Sequence, residues 1–334
     1  MGLRGEGPSV SMRLVVLLMA TSLLVAPSAA TAQQPGKLPR IGVLSPTAPP
    51  PPTTPDVEQL LRGLRELGYE NGKTAIIEIR YAANNPDRVA ELAAELVRLQ
   101  VAVIWTVGDL STRALRRETT TIPIVAAVGF PVESGFAVSL ARPGGNITGI
   151  SAQADDLALK RLELLKQAVP RMTRVAFLWD TVTSERQVRA AEAGARSLGL
   201  ELQALEVRTP GDLPGALEAT ARARVQGLAV FASPMLLSSR EAVVALSARH
   251  RIPTVYPRPE FVEVGGLMSY GPNLADMQRI AAAQIDRILK GAKPADLPFQ
   301  QATKFDLLLN LKTAKVLGLA LPQSLLLRAD RVIE

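Results

Sequence analysis

The chain predicts an α/β fold: two similar, doubly wound parallel-sheet lobes joined by a multi-crossing hinge. Three observations lead there. From residue 38 onward, short apolar runs of strand length alternate with amphipathic helical segments, the pattern of βα units that stack into a parallel sheet with right-handed crossovers. The series runs twice, restarting after Gly144-Gly145-Asn146-Ile147-Thr148-Gly149. A length of 334 residues also exceeds what one core usually fills.

Arg40-Ile41-Gly42-Val43-Leu44-Ser45 forms the first strand, and the tract 46–55, with six prolines, cannot be helical in its middle. Asp56 caps the next helix, which carries Val57, Leu60, Leu61 and Leu64 on one face and ends at Gly68. Residues 74–81 alternate like a strand, and Asn85-Pro86 opens a helix striped by Val89, Leu92, Leu96 and Leu99. Residues 101–107 and 122–128 are near-continuous apolar runs, as in strands buried on both faces.

The second series begins with a helix over 157–169, its Leu159, Leu162 and Leu165 inward and its Lys and Arg residues outward. A strand follows at 174–179, then a helix capped by Ser184 and stopped by Gly199. Strands at 200–207, 227–232 and 254–256 alternate with helices at 213–224 and 238–250, and 267–270 completes the set. The pair Gly265-Gly266 precedes a helix at 274–289 that returns to the first lobe, and 304–310 with the helix from Leu311 forms a final crossing. The lobes are therefore expected at 38–150 with 272–302 and at 151–271 with 303–334, hinged near Gly145 and Gly265, with a cleft between them.

Residues 1–32 read as an export signal. Arg4 and Arg13 supply the positive start, 14–26 the apolar run, and Ala30-Thr31-Ala32 the cleavage site. Thirteen residues span only about 20 Å as a helix, against about 30 Å for a bilayer core. Cleavage after Ala32 removes Arg4, Glu6 and Arg13 and lowers the net charge from +7 to +6. The chain holds no cysteine, which excludes disulfides, thiolate metal sites and lipid attachment through the signal. An exported, unlipidated protein of the periplasm is the expectation. Basic residues are dispersed rather than clustered with aromatics, so the charge pattern does not point to nucleic acid.

Ligands of open parallel sheets bind beyond the carboxyl ends of the strands, beside helix amino-termini that favour anions. That rule selects Ser45, Gly108, Asp109, Phe130, Pro131, Asp180, Ser233-Pro234 and Tyr256. Asp109 either accepts a ligand ammonium, with Ser111 and nearby N–H groups holding an anionic end, or caps its helix. Asp180 is equally a ligand contact or a turn residue. Tyr256, Phe261 and Tyr270 gather near the second glycine pair, either to stack on a planar solute or to fill the core. Nothing points to catalysis: His250 is the only histidine, and no nucleophile elbow, dinucleotide fingerprint, phosphate loop or metal-ligand spacing occurs. No catalytic residue, metal or cofactor is expected.

Several longer segments carry a resemblance. They are Leu64-Arg65-Glu66-Leu67-Gly68-Tyr69, Ala90-Glu91-Leu92-Ala93-Ala94-Glu95-Leu96-Val97, Ser139-Leu140-Ala141-Arg142-Pro143-Gly144-Gly145-Asn146, Lys160-Arg161-Leu162-Glu163-Leu164-Leu165, Gly265-Gly266-Leu267-Met268-Ser269-Tyr270-Gly271-Pro272 and Ile288-Leu289-Lys290-Gly291. With them the chain resembles, over residues 38–334, the solute-binding proteins of ABC importers in the family of tryptophan- and tyrosine-type binding proteins. The resemblance implies a type I periplasmic-binding-protein-like fold, a hinged cleft for one small solute, and a monomer that delivers it to an ABC permease and its ATPase. A sensor presenting solute to a membrane receptor kinase is the alternative. Relatives usually carry Asp where this chain has Phe130, and an aromatic pair where it has Pro272-Asn273-Leu274. Loss of that carboxylate removes an ammonium partner and points toward an apolar or aromatic acid.

Overall fold

The computed structural model describes residues 1–2, 38–48, 55–152, 154–180 and 185–334. Apart from Met1 and Gly2, the expected export signal lies outside the described residues, as does the expected cap Ser184. Residues 38–334 form one compact unit.

The first series lays down β1 (Arg40–Ser45), α1 (Pro55–Glu66), β2 (Ile76–Tyr81), α2 (Pro86–Arg98), β3 (Val103–Val107), α3 (Asp109–Glu118), β4 (Ile124–Val128) and β5 (Ile147–Ser151). The second lays down α4 (Ala154–Ala168), β6 (Arg174–Asp180), α5 (Glu185–Ser197), β7 (Glu201–Val207), α6 (Leu213–Arg222), β8 (Gly227–Val230), α7 (Pro234–Ser238), α8 (Arg240–Arg249), β9 (Thr254–Tyr256), α9 (Pro259–Glu263) and β10 (Met268–Pro272). The tail adds α10 (Leu274–Leu289), β11 (Gln300–Gln301), β12 (Phe305–Asn310), α11 (Leu311–Val316), α12 (Gln323–Leu326) and β13 (Arg331–Ile333).

Two sheets result, ordered β11-β5-β4-β3-β1-β2 and β13-β12-β10-β9-β8-β6-β7. Within each, the first five strands of the series follow the same order, so the lobes repeat one topology. Neighbours pair in parallel except β10 with β12. Alternation along the strands packs helices on both faces of the first sheet. Ile41, Val43, Val103 and Trp105 meet α1 and α10, while Leu44 and Ile104 meet α2 and α3. A third cluster around Leu165, Phe177, Val230 and Met268 fills the second lobe. The Asn85 cap holds as expected, its side chain accepting from the Asp87 and Arg88 amides.

The chain passes between the sheets after Ser151, at Pro272-Asn273 and at 302–304. These crossings lie side by side, tied by Asn273 N–H to the Lys304 carbonyl at 2.9 Å and Ala302 N–H to the Ser151 carbonyl at 3.1 Å. The glycine pairs expected at the hinge do other work. Gly144 and Gly265 take left-handed turns before β5 and β10. Gly266 makes room for Tyr256, whose ring a Cβ would approach to 2.6 Å. Gly149 inside β5 has φ +150°, and a Cβ there would overlap the Ala126 carbonyl of β4.

Three further expectations are corrected. The 238–250 helix is found as α8 but starts at Arg240, because Ser238 closes the separate short helix α7 and Ser239 breaks between them. Asp56 is not a cap but sits in the first turn of α1 behind Pro55. On α4, Arg161 points inward on the stripe of Leu157 and Leu165 rather than outward to solvent.

Candidate ligand cleft between the lobes

Both sheets reverse strand order at one place, between β1 and β3 in the first lobe and between β6 and β8 in the second. Ligands of such sheets sit outside the carboxyl ends of the strands at these switch points. A cavity of about 270 Å³ lies there, walled by Ser45, Val107 and Gly108 from one lobe and Asp180, Phe231 and Ser233 from the other. That volume is near the roughly 300 Å³ lower end of small-molecule sites. Its apolar wall includes Val89, Leu110, Leu157, Met235, Leu237, Leu274 and Met277.

Ser45, Gly108, Asp109, Ser111, Asp180 and Ser233 of the expected set all border this space. Ser45 shares a 2.9 Å hydrogen bond with Thr47, and Ser233 caps α7 by accepting from the Leu236 amide at 3.0 Å. Gly108, at φ +83°, precedes α3 without any side-chain cap, so it leaves the helix start open toward the cavity. Asp109 stands in the first turn of α3, where it accepts from the Ser134 hydroxyl at 2.6 Å and lies 3.6 Å from Arg113. Burial pushes its carboxyl above the usual range, and the Ser134 hydrogen bond and the Arg113 charge only partly offset that. Ser111 Oγ is buried without a hydrogen-bond partner, as are the Oε1 atoms of Gln187 and Gln278 on the same walls.

Four expected residues stand elsewhere. Phe130, 8% exposed, is buried outside the cavity wall. It opens a tight turn in which its carbonyl accepts from Ser134 N–H and that of Pro131 accepts from Phe136 and Ala137. Pro131 is buried in the same turn. Tyr256 is in the core, stacked on Phe261 at 4.8 Å between centroids, and burial pushes its hydroxyl up to about 12. Tyr270 stacks on Phe305 at 5.9 Å and does not line the cavity, its carbonyl accepting from Arg161. Aromatic residues at strand ends are as useful to the core as to a ligand, and spacing alone does not separate the two.

Three charged residues of the cleft escaped the strand-end rule. Arg161 is 5% exposed, and its Nε donates to the Tyr270 carbonyl at 2.7 Å. Its signal was a cation four residues from Leu157 and from Leu165, on the apolar stripe of an amphipathic helix. Arg258 and Asp56 join the lobes: Nη1 and Nη2 of Arg258 donate to the two Asp56 oxygens at 3.1 and 3.2 Å. Glu260 accepts from the same guanidinium at 2.6 Å. Burial would lower the Arg258 pKa, but the two carboxylates prevail and raise it. Beside them Asn84 Nδ2 donates to Ser238 Oγ at 2.9 Å, a second bond between the lobes.

Among the described residues, no group of His, Cys, Asp or Glu could hold a metal ion, and no helix is long and apolar enough to cross a membrane.

Comparison with known proteins agrees with this architecture. A tyrosine-binding protein of Clostridioides difficile (strain R20291) is 26% identical over 263 residues, which cover 78% of this chain and 75% of that protein. The crystal structure of the ABC domain in complex with L-Trp from Streptococcus pneumonia is 25% identical and superposes with a TM-score of 0.80, covering 89% of this chain and all of that one. A conserved domain protein from Vibrio cholerae, 24% identical, has a TM-score of 0.82 over 89% of this chain and all of its own, and shares the fold. Residues 51–333 match the family model of the ABC transporter substrate binding protein, and the chain belongs to that family.

Proposed function

We propose that this protein is the solute-binding component of an ABC importer. It captures one small organic solute, amino acid-like or an aromatic carboxylate, and delivers it to a membrane permease driven by its ATPase. The observation that carries this reading is the position of the cavity. It lies at the facing switch points of two like sheets, with three crossings along one side and the Asp56–Arg258 and Asn84–Ser238 contacts joining the lobes across it.

On this reading, residues 38–150 with 272–302 and 151–271 with 303–334 move as two bodies about the crossings. Closure encloses the solute, and opening at the permease releases it. The protein works as a monomer in the periplasm, exported with its leader removed after Ala32 and without a lipid anchor. The relatives' solutes, tyrosine and L-Trp, fall in the class proposed. No bond is made or broken in this cycle, so the site needs no nucleophile, proton shuttle or cofactor.

A thermal-shift screen of amino acids, aromatic acids and nucleosides tests the reading, because a solute at 100 times its dissociation constant adds about 2.7 kcal/mol of stability. Solution scattering with the best solute should then show a smaller radius of gyration. Identical scattering curves with and without a saturating solute would contradict closure. Mass spectrometry of the exported protein should give a chain that starts at Gln33, and a retained leader would contradict the compartment.

A further inference from the structure

We propose that Arg161 is the anion anchor of the cavity, its guanidinium taking the carboxylate of an organic acid whose apolar body lies against Leu157, Phe231, Met235 and Met277. The inference rests on the solute-binding reading and adds which residue grips the solute, and by which end.

Arginine is almost never buried this fully unless paired. Arg161 is 5% exposed, borders the cavity and spends one donor on the Tyr270 carbonyl. A guanidinium offers five N–H donors, and among the described residues no carboxylate pairs with this one. The contrast with Arg258 is internal to the same cleft. That residue is less deeply buried, yet Asp56 and Glu260 both hold it. A buried charge without a counter-charge is costly, and a ligand carboxylate supplies what the fold leaves out.

The side chain is also held ready. Its Nε is fixed on β10, and the carbonyl that fixes it belongs to Tyr270, whose ring is stacked on Phe305. The outer edge of the fork is left for a bidentate carboxylate, the geometry arginine favours and lysine does not reproduce. Burial pushes the guanidinium down to about 10, so it stays protonated at neutral pH. Ser111, Gln187 and Gln278 bring further buried polar groups without partners to the same walls, to meet the solute's other polar atoms.

The test is a calorimetric and thermal-shift panel on the full mature chain. The probes are aromatic and branched aliphatic carboxylic acids, with and without an α-ammonium, and the matched amides and amines. Wild type should bind acids and discriminate against the amides. Arg161→Met should lose acid affinity by about a hundredfold or more while the amide changes by less than about threefold, and Arg161→Lys should recover only part of the loss. Circular dichroism and an unchanged or raised melting temperature would show that the variants fold. Acids with and without the ammonium separate plain carboxylates from amino acids. If Arg161→Met binds the acids as well as wild type does, or wild type prefers the amides or amines, the anchor is refuted and the solute-binding reading stands. If wild type binds nothing across the panel, both are refuted.

Discussion

The contact between Asp56 and Arg258 is the bond whose removal should most directly favour opening. Two N–H···O contacts of 3.1 and 3.2 Å join side chains that are 16% and 18% exposed, one on each lobe. Hydrogen bonds to charged groups contribute about 1.5–3 kcal/mol each, and removing one partner of a buried pair costs about 3–5 kcal/mol. In Asp56→Asn the guanidinium keeps Glu260 at 2.6 Å, so the stranded charge is partly compensated and the lower range applies. A loss of about 1.5–3 kcal/mol from the closed form corresponds to roughly ten- to a hundredfold in affinity. Asp56 also borders the cavity, so a direct solute contact has to be separated from the bond between lobes. Arg258→Met and the double variant complete a cycle whose coupling term belongs to the pair. Calorimetry should show weaker binding through faster release, and scattering a larger ligand-free radius of gyration. A coupling below about 0.5 kcal/mol, the usual limit of additivity, would refute the latch.

Three other outcomes are expected. Phe130→Ala should lower stability by about 3–5 kcal/mol, as for a buried ring, while solute affinity stays within a few-fold; a large affinity loss in calorimetry would return the ring to the solute. Gly149→Ala should fail to accumulate as folded protein, since the added methyl overlaps the Ala126 carbonyl; a cooperative melt near the wild-type temperature would contradict the close approach. For Glu260, burial raises the pKa, but the charge and hydrogen bonds of Arg258 prevail and hold it below the ordinary range. Its stabilisation is therefore full above the unfolded value of about 4.3 and is lost as pH falls through the lower folded value. Denaturation of Glu260→Gln across this window should show a shallower acid loss than wild type.

The order of strands and helices was legible because buried parallel strands and amphipathic helices carry different periods, as in 101–107 against Val89, Leu92 and Leu96. The hinge was not, because glycine has several uses. Gly144 and Gly265 answer to turns and Gly266 to the Tyr256 ring, while the crossings pass through Pro272, Asn273 and Lys304, which carry no such signature. The strand-end rule brought Ser45, Gly108, Asp109, Asp180 and Ser233 to one cavity, since it depends only on topology. It had no means of choosing between the two sides of a turn, which is where Phe130 and Pro131 fall. Arg161 lies on a helix rather than at a strand end, so only its place in an apolar stripe could have revealed it.

Two arginines of the cleft, Arg161 and Arg258, differ in what holds them. Arg258 has Glu260 beside it on its own lobe and Asp56 across the cleft, so the contact it makes between the lobes needs no solute. Among the described residues Arg161 has no carboxylate partner, and on the proposed reading its burial opposes closure of the empty protein. An opening that admits water to the guanidinium would remove that penalty. A carboxylate removes it in the closed form instead. A ligand shifts a conformational equilibrium only by its difference in affinity for the two states, and here the difference follows from the dielectric around one cation. An uncharged molecule of the same shape would fill the apolar wall and still leave Arg161 unmatched, so selectivity for an acid and coupling to closure come from the same residue.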